Sequence, residues 1–338
     1  MTDPVVRSIL LKRQGSLTYL NYSGVKGEAT AMGGIAHCVV AGGNGQVGRM
    51  FSSKLANSGI EVTLVDIDFP MVGSDLAHVS FEQGDITTPR GQVALAVAGA
   101  DLVLLAVPEH VALAAVPLLA AIMQRGALLV DTLSVKSRIA ALVRNEAYDL
   151  EAVSLNPMFA PSLGMTGRPI AVVTLADGPR ARVLRKLLTS WGARVMPIEA
   201  AEHDRVSAAL QVATHSAVLA FGVALQNLDI DITDLYTLAP PPHLTLLAML
   251  ARVVSGTPEV YWDIQAGNPE APAARAALQR GIEHIATLAD NGNKEGFATL
   301  LAEMQTLLGD KRAVLVDVCA QIFDRLPLTL NADGDGAG

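Results

Sequence analysis

Three glycines early in the chain have the spacing of a loop that binds nucleotide phosphate. They follow a short apolar run and open a helical stretch that starts at Gln46. In such a loop Gly43 permits a tight turn, Gly45 lets the backbone approach a pyrophosphate, and Gly48 lets the helix pack against a sheet. The free amides and the dipole of the helix N-terminus favour phosphate charge. The predicted loop comprises Gly43, Asn44, Gly45, Gln46, Val47 and Gly48.

Asp66 is the second part of this predicted nucleotide site, because it directly follows another predicted strand, Glu61 to Val65. A carboxylate there accepts hydrogen bonds from both ribose hydroxyls and repels a 2′-phosphate, which favours NAD over NADP. Val107 and Pro108, at the end of a further predicted strand, are expected to complete the cofactor site. The alternative is a glycine-rich turn with an unrelated surface aspartate.

Short apolar runs alternate with helical segments from Ile35 to about residue 199. This alternation predicts crossover units and a doubly wound, Rossmann-type parallel sheet, with ligands at the carboxyl ends of the strands. We therefore predict an NAD-binding domain over residues 34–199, preceded by an extension over residues 1–33 that has no sustained period. The predicted strands are His37–Ala41, Glu61–Val65, Leu102–Val107, Ala127–Asp131, Ala152–Leu155, Ala171–Leu175 and Arg194–Ile198.

After about residue 200 the pattern is helical, which predicts an all-α domain over residues 200–330 and a Gly- and Asp-rich disordered tail over residues 331–338. The predicted helices are Glu202–Gln226, Leu244–Ser255, Ala271–Asp290 and Lys294–Phe323. Hydrophobic residues make up 51% of the chain and charged residues 17%, so extensive burial between helices or between subunits is expected. The helical domain is therefore predicted to bind substrate and to form a homodimer.

Composition argues against several classes of partner. A net charge of −8 disfavours nucleic acid, since phosphate binding needs a clustered basic face. The most apolar stretch, Leu102 to Met123, is interrupted by two prolines, a glutamate and a histidine, so it predicts a strand and a helix rather than a membrane span. Cys38 and Cys319 have neither disulfide nor metal-binding spacing. We expect no metal, and a reducing cytoplasm as the location.

Several motifs, in order along the chain, resemble those of the prephenate dehydrogenase family. They are the fingerprint at residues 40–49, Val-Asp-Thr-Leu-Ser-Val-Lys at 130–136, Asn-Pro-Met-Phe-Ala-Pro at 156–161, Trp-Gly-Ala-Arg at 191–194, Glu-His-Asp at 202–204, Gln211, His215, and Ala251 with Arg252. Members of this family oxidise a cyclohexadienol by hydride transfer to NAD, with loss of carbon dioxide and aromatisation. The resemblance therefore implies a cyclohexadiene dicarboxylate as the small-molecule partner.

The resemblance also implies roles for residues of the helical domain. Arg252 should hold the ring carboxylate, which suits its planar fork of donors. His215 and Gln211, one helical turn apart, should face the substrate side chain. The alternatives are a core histidine at position 215 and a surface arginine at position 252.

In the first domain, the resemblance implies that Ser134 hydrogen-bonds near the reacting C4 substituent and that Lys136 binds substrate. Ser134 could instead cap the helix that begins near Lys136, and Lys136 could be only a solvated charge. His203 is expected to be structural, orienting the junction of the two domains.

Asn156 stands where the family has its catalytic histidine, the residue before Pro-Met-Phe. That histidine accepts the proton of the 4-hydroxyl and contributes about 10²–10⁴-fold, whereas asparagine accepts a hydrogen bond but takes no proton. An amine at C4 fits asparagine, because its lone pair drives hydride departure without losing a proton. Enzymes that resemble this family convert such an amine, 4-amino-4-deoxyprephenate, to 4-aminophenylpyruvate, a precursor for antibiotics. The resemblance therefore implies this conversion here, with Ser134 and Asn156 framing the amine. The alternatives are a prephenate or arogenate dehydrogenase of tyrosine synthesis and an inactive NAD-binding regulator.

Overall fold

The computed structural model describes residues 8–13, 16–21, 34–68, 77–229, 231, 235 and 238–326. Near the N-terminus, strands β1 (Ser8–Arg13) and β2 (Ser16–Asn21) pair antiparallel as a hairpin. The predicted extension, residues 1–33, therefore contains a hairpin at these residues. The predicted tail, residues 331–338, lies outside the described residues.

A single eight-stranded sheet carries the first part of the chain after this hairpin. Its strands are β3 (His37–Ala41), β4 (Glu61–Asp66), β5 (Val79–Gln83), β6 (Leu102–Leu105), β7 (Leu128–Asp131), β8 (Glu151–Pro157), β9 (Pro169–Ala176) and β10 (Arg194–Pro197). They lie in the order β10-β9-β8-β7-β6-β3-β4-β5, and β3 to β8 are mutually parallel. The predicted doubly wound, Rossmann-type fold class is confirmed.

Two features of this sheet differ from the prediction. β9 runs antiparallel to β8, because only a short 3-10 turn at Pro161–Leu163 separates them and a parallel pair would need a full crossover. β5 was not predicted; it forms the sheet edge beyond β4, where partly exposed residues give no continuous apolar run.

Helices cover both faces of the sheet. They are α1 (Gln46–Ala56), α2 (Gly91–Gly99), α3 (Glu109–Ile122), α4 (Ser137–Glu146) and α5 (Pro179–Ser190). Phe51 and Leu188 are fully buried in the core on one face, and Leu119 and Ile139 are buried in the core on the other. Because helices shield both faces, the central strands are apolar throughout and do not alternate.

The rest of the described chain is helical, as predicted. The helices are α6 (Ala200–Ser207), α7 (Thr214–Asn227), α8 (Pro241–Val254), α9 (Pro258–Trp262), α10 (Ala271–Asp290), α11 (Lys294–Leu308) and α12 (Arg312–Phe323). π-helical turns at Ala208–Ala213 and Asp263–Gly267 interrupt them. The predicted single helix Lys294–Phe323 is wrong, because Gly309 adopts a positive φ of 50° and a 3-10 turn separates α11 from α12.

Much of this helical region is uncovered in the single chain. Residues Ala200–Asn227 form a continuous helical segment that is long and apolar enough to cross a membrane, and 17% of its most apolar window is buried. Such a segment is weak evidence for a membrane span, because helices that pack in soluble proteins pass the same test. α11 carries an exposed stripe of Phe297, Leu301, Met304 and Leu308. These faces need another apolar surface to cover them.

Candidate active site

The order of the strands brings the predicted site residues to one edge of the sheet. β4, β3, β6, β7 and β8 are parallel neighbours, so their carboxyl ends meet along this edge. Asp66 ends β4, the phosphate loop follows β3, Val107 follows β6, and Asn156 lies at the end of β8. β4 pairs with β3 on one side and β6 pairs with β3 on the other, so the strand order reverses at β3. This edge is therefore the switch point where doubly wound sheets bind ligands.

Gly42, which precedes the predicted loop, makes the tight turn that was assigned to Gly43. Its φ is +77°, and a Cβ there would lie 2.2 Å from the carbonyl oxygen of Ala106. Gly43 has no positive φ; a Cβ there would instead lie 2.9 Å from Cβ of Leu64. The role predicted for Gly43 is therefore corrected to close packing on β4. The pair of adjacent glycines was the signal that could have placed the turn at Gly42.

Gly48 allows the close packing that its position in the motif predicts. A Cβ at Gly48 would lie 2.2 Å from the carbonyl oxygen of Gly42, so only glycine lets α1 approach the turn. Gly45 precedes Gln46 at the start of α1, with extended backbone. The first amides of α1 thus open toward the sheet edge, where an anion is favoured.

Asp66 lies against the phosphate loop. Its Oδ2 accepts a hydrogen bond of 2.9 Å from the backbone amide of Asn44, and its Oδ1 accepts one of 3.3 Å from the amide of Asp68. The Asp66 carboxylate fits the ribose of a dinucleotide, and the neighbouring glycine loop and helix N-terminus fit its pyrophosphate. Val107 and Pro108 stand directly before α3, and Val107 lies near Gly42. The residues predicted for the cofactor therefore lie together.

Lys136 is completely buried, in contrast to both predictions for it. Its ammonium donates to Oδ1 of Asp131 at 3.3 Å, to the carbonyl of Leu133 at 2.6 Å and to the carbonyl of Leu155 at 2.7 Å. Burial lowers the pKa of Lys136, and the Asp131 carboxylate opposes that shift. Because all three ammonium hydrogens are directed to protein oxygens, the prediction that Lys136 binds substrate is corrected. It ties the end of β7 to the residue before Asn156.

The N-terminus of α4 is capped by a residue of the helical region, Asp204, and not by Ser134. Asp204 on α6 accepts hydrogen bonds of 2.8 Å from the amides of Lys136 and Ser137. Burial raises the pKa of Asp204, but hydrogen bonds from His203, Ser137 and these amides outweigh burial and hold the pKa below its usual range. Ser134 is half-buried between β7 and α4, and no hydrogen bond to it is found within the described residues. The Ser134 hydroxyl is thus free for a ligand.

Asn156 is buried and in contact with a histidine. Its Nδ2 lies 3.1 Å from Nε2 of His203, and Nδ1 of His203 lies 2.9 Å from Oδ1 of Asp204. All three side chains are at most 2% exposed. Asn156 and His203 come from the sheet and from α6, so His203 does join the two parts of the chain, as predicted. Its contact with Asn156 was not predicted, although the Glu-His-Asp motif was noted.

The helical part of the predicted substrate site forms a second cluster. Gln211 lies in the π-helical turn that interrupts the long helix, a type of turn frequent at functional sites. Gln211 Oε1 and His215 Nδ1 are buried with no hydrogen-bond partner within the described part of the chain. The His215 ring packs edge-on against Tyr261, with centroids 5.1 Å apart. Two unsatisfied polar atoms one turn apart suit a polar ligand.

Arg252 lies in the last turn of α8 and is exposed. Burial lowers the pKa of His215, and the positive charge of Arg252 lowers it further, so the two side chains are near each other. The guanidinium makes no ion pair with any residue for which the structure gives a position. A cation without a counter-charge next to a neutral histidine can receive a carboxylate.

A cavity of about 500 Å³ lies where α3 and α4 meet α9. Glu109 Oε2 accepts a 2.7 Å hydrogen bond from Arg138, and Asp263 accepts one of 3.2 Å from the Glu109 amide. Burial raises the pKa of Glu109, Arg138 opposes the shift, and Asp263 adds to it. Its charged lining consists of three carboxylates and Arg138, which is paired with Glu109, so the net negative charge repels a dicarboxylate and we assign no substrate contact to it. Within the described ranges no three His, Cys, Asp or Glu side chains are grouped to hold a metal.

A doubly wound dinucleotide-binding sheet joined to a helical region, with a polar site between them, defines a dehydrogenase with a Rossmann-type domain. Residues 199–303 match the family described as prephenate dehydrogenase, dimerization domain. The chain is 52% identical over 290 residues to 4-amino-4-deoxyprephenate dehydrogenase of Streptomyces pristinaespiralis, covering 86% of this chain and 97% of that protein. It is 29% identical to the T-protein of Enterobacter agglomerans over 84% of this chain and 71% of that protein.

The fold is also that of solved prephenate dehydrogenases. The crystal structure of prephenate dehydrogenase from A. aeolicus in complex with hydroxyphenyl propionate and NAD+ superposes with a TM-score of 0.67 at 18% identity, covering 83% of this chain and 98% of that chain. The crystal structure of Synechocystis arogenate dehydrogenase gives a TM-score of 0.59 at 17% identity, covering 80% and 98%. The chain belongs to the prephenate dehydrogenase family, and the resemblance predicted from its motifs is confirmed.

Proposed function

We propose that this protein oxidises 4-amino-4-deoxyprephenate to 4-aminophenylpyruvate and carbon dioxide, using NAD as hydride acceptor. The observation that carries the proposal is Asn156, a buried amide at the end of β8 where the family places a base. The relative from Streptomyces pristinaespiralis, which is named for this amino substrate, supports it.

NAD fits the residues at the sheet edge. The phosphate loop and the first turn of α1 would hold the pyrophosphate, and Asp66 would accept the ribose hydroxyls. When bound, NAD supplies a nicotinamide ring that accepts a hydride. The Asp66 carboxylate disfavours a 2′-phosphate, so NADP is expected to bind less well.

The chemistry balances without a base. The C4–H bond breaks and its electron pair leaves as hydride, while the nitrogen lone pair forms a C4–N double bond. The bond from C1 to the carboxylate then breaks, its electrons enter the ring and neutralise the nitrogen, and carbon dioxide leaves. No proton has to be removed from nitrogen, so an amide that only accepts hydrogen bonds is sufficient at position 156. A hydroxyl has a weaker donor lone pair and gains more from a base.

Two groups of residues, one at the sheet edge and one on the helices, would hold different parts of the substrate. We propose that Ser134 and Asn156 contact the C4 substituent, that Gln211 and His215 contact the side chain, and that Arg252 binds the ring carboxylate. Buried unpaired atoms on Gln211 and His215 support this division. The exposed guanidinium of Arg252, beside His215, supports the role in carboxylate binding.

Side-by-side kinetics test the proposed function. NADH formation is measured with 4-amino-4-deoxyprephenate and with prephenate at equal enzyme concentration, and the products are identified by mass. We expect kcat/KM to be at least about tenfold higher for the amine. A higher kcat/KM for prephenate would contradict the substrate. No NADH with either substrate, despite NAD binding, would instead indicate the inactive regulator.

One observation favours a second candidate, an ordinary prephenate or arogenate dehydrogenase. The His203 ring lies next to Asn156, and a histidine at this place could act as the missing base. This candidate predicts a pH–rate profile on prephenate that rises through the titration of one group. The amine reaction, which needs no base, should lack such a rise above the pH at which the amine is neutral.

We further propose a homodimer formed through the helical region, in the cytoplasm. The matched family is described as a dimerization domain. On α11 the exposed apolar residues recur every three or four positions, at Phe297, Leu301, Met304 and Leu308, which is the spacing of a helix–helix seam. A second copy is the partner that would cover this stripe. We expect neither nucleic acid nor a membrane as a partner.

A further inference from the structure

The side chains of Asp204, His203 and Asn156 form a chain of hydrogen bonds that ends at Asn156, the residue proposed to contact the C4 substituent. Asp204 Oδ1 and His203 Nδ1 are 2.9 Å apart, and His203 Nε2 and Asn156 Nδ2 are 3.1 Å apart. All three side chains are buried, so water does not compete for these contacts. Which atom donates and which accepts in each hydrogen bond can therefore be assigned from the three side chains themselves.

Asp204 determines which nitrogen of His203 carries the proton. The carboxylate accepts hydrogen bonds from two backbone amides and from the Ser137 hydroxyl, so it is an acceptor throughout. Its partner Nδ1 must then be the donor. In the neutral ring this leaves Nε2 with a lone pair and no hydrogen. The hydroxyl of Ser207, 3.3 Å from Nε2, can donate to the same lone pair.

A bare Nε2 fixes the rotation of the Asn156 amide. Only the NH2 end of the amide can donate to that lone pair, so Nδ2 faces His203. The carbonyl Oδ1 points away from the ring, and it accepts no hydrogen bond from any residue in the described ranges. A reversed amide would place two acceptors against each other, which a buried site disfavours.

We propose that His203 is a positioning residue that holds Asn156 with Oδ1 toward the C4 substituent, and so selects an amine over a hydroxyl. This inference rests on the proposed function. The nitrogen of the amine has one lone pair, which hydride departure consumes, so toward Asn156 it can only donate. A hydroxyl oxygen has a second lone pair and tolerates either end of the amide. Loss of the fixed orientation should therefore cost the amine more than the hydroxyl.

The first test is spectroscopic and uses the unmodified enzyme. The chain has seven histidines, and ¹⁵N-labelled histidine spectra distinguish a protonated ring nitrogen from a bare one. We expect the His203 signals, assigned by their loss in His203→Gln, to show a protonated Nδ1 and a bare Nε2 at neutral pH. A protonated Nε2 would overturn the inference, even if the amine proves to be the substrate.

The second test is the ratio of kcat/KM for 4-amino-4-deoxyprephenate to that for prephenate. In His203→Leu the ratio should fall about tenfold, the effect of one hydrogen bond. His203→Gln can present its Oε1 where Nε2 lies, so it should restore most of the ratio. An unchanged ratio in folded His203→Leu would overturn the inference.

His78→Asn is the matched control. His78 also pairs through Nδ1 with a carboxylate, that of Glu61, but at the exposed end of the sheet. Asparagine tolerates the positive φ of 68° at this position. The ratio should be the same as in the wild type. If the wild type itself does not use the amine, the proposed function fails, whereas the ring spectrum still decides the orientation of Asn156.

Discussion

Lys136 Nζ and Asp131 Oδ1 lie 3.3 Å apart in an ion pair whose side chains are 0% and 4% exposed. Ser154 Oγ donates to the same carboxylate oxygen at 2.7 Å, and the Lys136 ammonium also holds the carbonyl of Leu155. The pair therefore connects β7 and β8 at their carboxyl ends. It supports the strand end that carries Asn156, which follows Leu155.

Replacement of Lys136 by Met should destabilise the protein strongly. It would leave the buried Asp131 carboxylate without a counter-charge and two carbonyls without donors, which typically costs about 3–5 kcal/mol. Urea unfolding of the wild type and Lys136→Met measures the loss. Lys294→Met, at an exposed lysine, should change stability by less than about 0.5 kcal/mol. Equal midpoints for Lys136→Met and the wild type would contradict the ion pair.

Replacement of Asp66 by Ala should shift the cofactor preference toward NADP. The change removes the carboxylate that would repel a 2′-phosphate, and the ratio of kcat/KM for NAD to that for NADP should fall by about tenfold or more. Part of the loss with NAD would come from the amide of Asn44, which donates to Asp66. Asp85→Ala, at a turn before α2, is the control and should keep the wild-type ratio. An unchanged ratio in Asp66→Ala would exclude the ribose contact.

The coupling of His215 and Arg252 gives a prediction about pH. Burial and then the charge of Arg252 lower the pKa of His215, so Arg252→Gln should raise that pKa partway toward its ordinary value of 6.5. Folding favours the neutral ring. The contribution of His215 to stability is thus present above about pH 6.5 and is lost as the pH falls through the lowered pKa. NMR titration of the His215 ring measures its pKa in the wild type and in Arg252→Gln. Arg280→Gln, exposed on α10, should leave the titration unchanged; equal curves for Arg252→Gln and the wild type would refute the coupling.

The apolar stripe of α11 predicts the assembly. Leu301 is 51% exposed in the single chain, and Leu301→Glu should place a charge in the proposed seam and shift the native mass from dimer to monomer. Thr299→Glu, on the opposite side of the same helix, should leave the mass unchanged. Light scattering across a range of concentrations makes the comparison. A wild-type monomer at micromolar concentration would contradict the dimer.

Most of the fold could be predicted because each central strand is an uninterrupted apolar run between helices. β3, β6, β7 and β8 lie where their sequences indicated. The direction of β9 was not predicted. The segment after β8 forms only a 3-10 turn and not a crossover helix, and the sequence pattern did not show this. β5 was missed because an edge strand needs only one apolar side. The break at Gly309 was missed because a single glycine also occurs within helices.

The site was predictable where spacing determines neighbours, as in the phosphate loop and in Gln211 with His215. It was not predictable where residues far apart in sequence meet. In the sequence, Lys136 has the pattern of a surface charge. In the structure, Asp131 and two backbone carbonyls surround its ammonium group. His203 is 47 positions from Asn156, and only the packing of α6 on the sheet brings them together. Such contacts follow from tertiary structure and leave no local pattern.

The central claim is that Asn156 suits an amine because no base is needed, and Asn156→His tests it most directly. A histidine there restores a base, which contributes about 10²–10⁴-fold to a reaction that requires one. We expect the ratio of kcat/KM for prephenate to that for 4-amino-4-deoxyprephenate to rise roughly 10²-fold over the wild type. A ratio that stays the same or falls in the folded variant would contradict the account.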